Sequence, residues 1–404
     1  MRRTALRLRR APLLHPRAHR AHFNPIPHLQ RAEECILLCR LSSSLVLSFP
    51  VIDTDAKLAE FLSRLQMARW VAVDTEADSL HAYPEKLCLL QVSIEGEDVL
   101  IDPLSKTDFT PLWPELQKHE LIFNAADYDL RLLRKGPNFV PTTIFDTMLA
   151  ARLLGERQFG LHHLVSKFLN VHLEKGSQTA DWARRPLTPK MEAYARNDTH
   201  HLKALADILR AQLIEKGRLK WHEESCARMV QECSEVPPAD TEPWRIRGCN
   251  RLTPLGLAVL RELWHWREKE ALAASKPPYF ILAHEVLLEI ANSAGSERAL
   301  SEMFPRHLSS RRQAELVNAV DRGLSLSTEQ HPEVVRFHPS RPSQAEKRRF
   351  EELRKKRDHV GLEMHIDPTL IASRAMLGLL AHNWNHHSTE LMNWQRELLS
   401  DPQP

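Results

Sequence analysis

The sequence predicts an α/β domain, a mixed sheet flanked by helices, followed by two all-α units. Three observations carry that expectation. Four strand-length apolar runs fall between residues 70 and 124, apolar residues recur every three to four positions from residue 127 onward, and proline clusters break the helical part twice. At 404 residues the chain is long enough for two or three domains. Its 43% apolar and 26% charged residues suit a soluble globular protein, and only 12 glycines argue against a β-rich sandwich. No stretch approaches the roughly 18–20 uninterrupted apolar residues of a membrane span. The apolar tract 36–49 is shorter, carries Arg40, and reads as a loop leading into a first strand or helix.

The elements follow in order. Asp53, Thr54 and Asp55 are good cap residues ahead of Leu58, Phe61, Leu62 and Leu65, which predicts a first helix. Strand-like runs come next at 70–74 (WVAVD), 87–94 (LCLLQVSI), 98–102 (DVLID) and 121–124 (LIFN). Helical spacing covers 128–135, 144–154, 161–169 and 189 to about 233. Pro237, Pro238 and Pro243 mark a linker, and Pro332, Pro339 and Pro342 a second break. The expected domains are therefore a basic, disordered arm at 1–44, an α/β domain at 45–235, a linker at 236–250, and helical units at 251–330 and 343–400. The two helical units are similar in size and texture, with no short fixed repeat.

The net charge of +3 is uneven: residues 1–32 contribute eight arginines and no acid, leaving the remainder at about −5. Any nucleic-acid footprint on the body must be a local patch. Four prolines and four histidines in that arm fit an amphipathic targeting helix poorly, which favours a disordered arm or an upstream extension over a transit peptide. The six cysteines form no CxxC pair and no zinc-spaced set, as expected of unpaired thiols in a reducing, cytoplasmic setting.

The strongest chemical signal is Asp74-Thr75-Glu76 at a strand end. Residues i and i+2 of a strand share a face, about 6.5–7 Å apart, so two carboxylates converge there and invite a cation. A lone D-x-E is more often simply solvated. After the fourth strand, however, the chain reads Asn124-Ala125-Ala126-Asp127-Tyr128-Asp129. Asp127 reads as a helix cap, and Asp129, beside Leu130, Leu132 and Leu133, as the inward-facing acid. Thr188-Pro189 then phases a helix that places Tyr194 and Asp198 on one face.

The ordered series D-x-E, N-x-x-x-Y-D, Y-x-x-x-D resembles the DEDDy 3′–5′ exonucleases, and within them ribonuclease D. DTEADSLHAYPEKLCLLQVS (74–93), IFDTMLAARLLG (144–155) and QTADWARRPLT (178–188) are similar to that family's segments. The unit 251–328 resembles an HRDC domain, and 343–400 a second, divergent HRDC-like unit. The resemblance spans about residues 45–400. It implies a ribonuclease H-like fold and a 3′–5′ exoribonuclease acting on RNA 3′ ends, tRNA precursors in particular. Asp74, Glu76, Asp129 and Asp198 match the acids that hold two Mg²⁺ ions, with Mn²⁺ as an alternative, and Tyr194 matches the tyrosine that orients the attacking water. Asn197 stands where the family usually has an apolar residue.

Leu80, His81, Tyr83 and Asn124 are expected near the terminal nucleotides, and Arg184 and Arg185 near phosphates, whereas Trp182 reads better as core than as a stacking platform. Arg245, Arg247, Arg251, Arg311, Arg312 and the basic cluster at 347–357 form a candidate RNA funnel or a solvated face. Neither a membrane nor an obligate protein partner is implied. A DNA exonuclease of the same fold, or a non-catalytic nucleic-acid binder, are the competing expectations. The absence of a GxxxxGK[ST] loop argues against a helicase.

Overall fold

The structure, a computed structural model, describes residues 51–174, 176–235, 241–294, 300–305, 308–334 and 342–400. The expected arm 1–44 and the tract 36–49 lie outside the described residues. Helix α1 (Asp55–Leu65) starts where the cap residues placed it. The Thr54 hydroxyl accepts from the Lys57 amide at 3.4 Å, and Leu58, Phe61 and Leu65 are buried at helical spacing. Strands β1 (Val71–Ala77), β2 (Leu87–Ile94) and β3 (Glu97–Ile101) follow as an antiparallel meander. Gly96, at φ 74°, makes the tight β2–β3 turn.

Helix α2 (Leu112–Leu116) leads to β4 (Glu120–Phe123), α3 (Asp127–Lys135) and β5 (Thr143–Asp146). Strands β4 and β5 run parallel to β1, giving the order β3-β2-β1-β4-β5. Every residue of β2 is buried, so the sheet is covered on both faces.

The expected helix 144–154 is instead β5 followed by α4 (Thr147–Leu154). Ile144 and Phe145 pair with β4 and fill the core, so sheet pairing overrides a pattern that local spacing alone assigns to helix. Helix α5 (Leu161–Leu169) comes next. The single helical stretch expected at 189–233 is three helices: α6 (Pro189–His200), α7 (Leu202–Glu215) and α8 (Leu219–Ser234). Gly217, at φ 67°, turns the chain between the last two.

The helical part opens earlier than expected. Residues 236–240 lie outside the described residues, but 241–250 do not behave as a linker, because Trp244 is buried in the core of the first helical unit. That unit contains α9 (Pro254–Ala274), α10 (Pro278–Ile281), α11 (His284–Asn292) and α12 (Ser310–Leu324). The second contains α13 (Gln344–Glu363), α14 (Pro368–Ile371), α15 (Arg374–His382), α16 (Trp384–His387) and α17 (Asn393–Leu399).

Its core is continuous with that of the α/β domain. Ile371, Leu377, Leu391, Trp394 and Leu399 belong to the same buried cluster as the sheet. Trp221 of α8 stacks on Trp394 with ring centroids 5.0 Å apart. The first helical unit instead reaches the loop after β1. The Tyr83 hydroxyl donates to Glu268 at 2.7 Å, and the Tyr279 hydroxyl to the Leu80 carbonyl at 3.3 Å. Among the described residues no helix is long and apolar enough to cross a membrane.

Candidate active site

Asp74 and Glu76 both lie within β1 and point to the face covered by α6. Thr188 caps α6, accepting from the Met191 amide at 3.3 Å, and Pro189 opens its first turn. That phase brings Asp198 onto the strand acids: one carboxylate oxygen from each of Asp74, Glu76 and Asp198 lies within 4.8 Å of the others, and all three residues are half-buried. Tyr194, one turn earlier, stands beside Asp198, close enough to it, Glu76 and Asp74 for their charges to act on its hydroxyl.

Asp129, in the first turn of α3, is buried and accepts a short hydrogen bond from the Thr75 hydroxyl. It stands at the edge of the trio rather than within it, close enough for its charge to act on Glu76 and Asp198. Asp127 is not the side-chain cap expected; it is exposed and pairs with Arg131 at 2.8 Å. The turn into α3 is fixed elsewhere. Ala125 sits at φ 67°, and the fully buried Asp146 accepts from the Ala126 amide at 2.6 Å and the Leu149 amide at 2.7 Å. Sequence reasoning assigned Asp146 no role, although an aspartate just ahead of Thr147 at a helix start is the signal that could have found it.

The electrostatics follow from burial. Burial first, then the charges of Asp74, Asp198 and Asp129, pushes Glu76 up to about 10. Asp198 is pushed up to about 7, again chiefly by burial. Asp74 is raised well above the usual carboxylate range by burial and then by the charge of Asp198, and Asp129 by burial and then by the charge of Asp74. Four hard oxygen donors that repel one another in a sheltered site are what a divalent cation neutralises, so the donor set fits Mg²⁺ or Mn²⁺. Tyr194 is raised by burial and then by Asp198, which keeps its phenol protonated.

The remaining expected residues divide. Arg184 is exposed on the segment leading to α6. Arg185 is not available to phosphate: its Nε and Nη2 grip Asp102 at 2.6 Å each, and its other donors bind the carbonyls of Cys88 and Trp182. Tyr83 is likewise spent on Glu268, so it ties the loop to the first helical unit rather than offering a free ring. Leu80 remains 45% exposed, and His81 meets the Thr179 carbonyl at 3.1 Å. Asn124 accepts from the Thr147 hydroxyl at 3.0 Å. Trp182 is buried, as its sequence context suggested. Of the basic residues expected to form a funnel, Arg311 and Arg312 are neutralised by Glu270 and Arg245 by Glu242, and Arg348, Arg354 and Arg357 pair with neighbouring acids.

Comparison with known proteins agrees with this geometry. A family described as 3′-5′ exonuclease matches residues 49–214, and the HRDC domain family matches residues 256–303. The chain is 34% identical over 247 residues to the ribonuclease D of Zymomonas mobilis; the match covers 60% of this chain and 63%, just under two thirds, of that relative's length. It is 31% identical over 295 residues to the ribonuclease D of Jannaschia sp., covering 70% of this chain and 76% of that protein. The crystal structure of Escherichia coli RNase D, described as an exoribonuclease involved in structured RNA processing, shares the fold with a TM-score of 0.68. At 24% identity that likeness covers 89% of this chain and 93% of the other.

Proposed function

Because the chain belongs to the ribonuclease D family, we propose that it is a divalent-metal-dependent 3′–5′ exoribonuclease. It releases 5′-mononucleotides from single-stranded RNA 3′ ends, tRNA precursors and other structured RNAs among them. The observation that carries this reading is the convergence of the Asp74, Glu76 and Asp198 oxygens beside the Tyr194 hydroxyl. Asp74, Glu76 and Asp198 would hold the ions, with Asp129 at the edge completing a two-ion set. When bound, such ions lower the pKa of an attacking water and neutralise charge on the phosphate.

The chain's own residues do the rest. Tyr194, kept protonated, aims the water as a hydrogen-bond partner and does not take its proton. Arg184 offers an exposed positive charge to a phosphate, and the exposed Leu80 edge packs against a terminal base without reading its identity. A cytoplasmic site of action fits the free thiols of Cys88, Cys226, Cys233 and Cys249.

A 3′-extended tRNA precursor and a matched DNA oligonucleotide, each incubated with the protein in Mg²⁺ or EDTA, test the reading. Mononucleotide release from RNA in Mg²⁺ only is expected, with Asp198→Asn and Asp129→Asn each at least about 10³-fold slower. Equal rates on DNA would favour the DNA exonuclease. RNA that is bound but left intact would reduce the chain to a binding protein.

A further inference from the structure

Strand β2 is apolar except at Gln91 and Ser93, and Gln91 is fully buried. Neither its amide oxygen nor its amide nitrogen has a hydrogen-bond partner among the described residues. A buried amide with both ends unmatched costs stability, so its placement calls for an explanation.

The register supplies one. Gln91 stands directly opposite Asp74 in the antiparallel β1–β2 pair, and Glu76 opposite Leu89. Residues opposed in this way project to the same face with their Cβ atoms about 4.5–5.5 Å apart. That face is the one under α6: Leu89 shares a buried cluster with Met191 and Ala195, and the Ser93 hydroxyl donates to Thr199 at 2.7 Å. Leu90 and Val92, between them, belong to the core on the other side. Gln91 thus lies between Leu89 and Ser93 beneath the helix that carries Asp198, and beside Asp74 across the strand pair. Leu100, its neighbour on β3, closes the other flank with an apolar wall.

We infer that Gln91 is a positioning residue of the metal centre: its amide, unpartnered among the described residues, engages the Asp74 carboxylate across the strand pair once a divalent cation makes that carboxylate anionic, and holds it in the orientation the cation needs. The inference rests on the metal-dependent reading above. Carboxylates that bind a cation are anionic, and each has further lone pairs to satisfy inside a sheltered site. An amide N–H₂ supplies donors without a positive charge that would repel the ion, and its oxygen can accept from a water on that ion. A lysine would fail the first requirement and a leucine the second.

The test is Mn²⁺ binding by the full chain, followed by loss of the free-ion signal in electron paramagnetic resonance. It compares wild type with Gln91→Leu and Gln91→Met, which keep the volume and remove the amide. The expected result is a 10- to 100-fold weaker Mn²⁺ affinity in both variants. Without metal, their unfolding midpoints should match or exceed the wild-type midpoint, because an unmatched polar group has gone. Wild-type Mn²⁺ affinity in the two variants would overturn the inference, as would variants that lose only metal-free stability. Wild type that binds no Mn²⁺ would instead overturn the metal-dependent reading itself.

Discussion

Tyr194 has two neighbours that make different predictions. Its hydroxyl stands beside Asp198, so Tyr194→Phe removes the group proposed to aim the water and leaves the carboxylate trio in place. Turnover should fall by about 10²-fold while Mn²⁺ affinity stays near wild type; a wild-type turnover rate would make the ring merely structural. Behind the ring lies Gly176, where an added Cβ would stand 2.5 Å from Cδ2 and 3.3 Å from Cγ of Tyr194. Those atoms are next to the ring's root, so they cannot swing away and the ring must shift. Gly176→Ala should therefore slow single-turnover hydrolysis by about 10- to 100-fold with unchanged metal binding, as misplacing an aimed group does. Single-turnover rates equal to wild type would show that Tyr194 tolerates the displacement. At this scale the convergence of Asp74, Glu76 and Asp198 was legible, since strand alternation pairs Asp74 with Glu76 and the Thr188-Pro189 start phases Tyr194 against Asp198. Gln91 was not legible, because its meaning depends on which residue faces it across the strand pair, and spacing along one strand does not contain that.

At the scale of elements, the segment entering α6 and the packing of α8 decide how the site is held. Arg185 binds Asp102 through two nitrogens, joining the start of α6 to the end of β3. Arg185→Ala should cost roughly 2–3 kcal/mol by removing the ion-pair partner of the buried Asp102 and the donor to the Trp182, Arg184 and Cys88 carbonyls, read as a lower urea midpoint. Arg184→Ala should leave stability alone and raise KM for RNA; the reverse pattern would restore Arg185 as the phosphate contact.

Helix α8 places His222 against β5, with Nε2 3.0 Å from the Asp146 carbonyl and the ring 4.3 Å from Phe145. Burial pulls His222 down to about 4. Between its unfolded value near 6.5 and about 4, the unfolded chain carries a proton that the folded chain excludes. This residue's contribution is therefore complete above pH 6.5 and is lost as pH falls toward 4, by at most about 1.4 kcal/mol per pH unit. His222→Gln should flatten the dependence of unfolding free energy on pH across that window, and an unchanged slope would assign the acid sensitivity elsewhere. The strand that His222 covers is the one the sequence misread, since Ile144 and Phe145 continue smoothly into the helical spacing of α4 and only pairing with β4 separates them.

Across the whole molecule, the two helical units prove to be copies of one plan. Helices α13, α14 and α15 each begin 90 residues after α9, α10 and α11, and the short helix opens with proline in both. The wiring repeats as well. Arg267 donates to the Leu282 carbonyl and to Glu268, and Arg357, 90 residues later, to the Ala372 carbonyl and to Asp358. The sequence showed two units of similar texture but not this correspondence, because only a minority of matched positions, such as Arg267 and Arg357 or Pro278 and Pro368, keep the same residue.

What differs is where each unit packs, and that yields a prediction. Leu149, Leu153 and Met229 of the α/β domain face Ile371, Leu391 and Trp394 of the second unit across one cleft. Arg218 bridges the Leu153 and Met364 carbonyls at 2.8 and 2.7 Å. The backbones also approach closely, since a Cβ added to Gly155 would stand 2.1 Å from the His365 carbonyl oxygen. A chain ending at residue 342 should therefore unfold roughly 10 °C or more below the full chain. Each uncovered leucine-sized side chain forfeits about 1.5–3 kcal/mol, and each kcal/mol moves the midpoint of a domain this size by about 2–4 °C. Gly155→Ala tests the same contact without truncation: backbone cannot yield as a side-chain tip can, and φ is 94° there, so the second unit must shift or the midpoint must fall. Circular dichroism melts and Trp221 fluorescence read both variants, and midpoints equal to the full chain's would show the second unit to be a passenger on the catalytic domain.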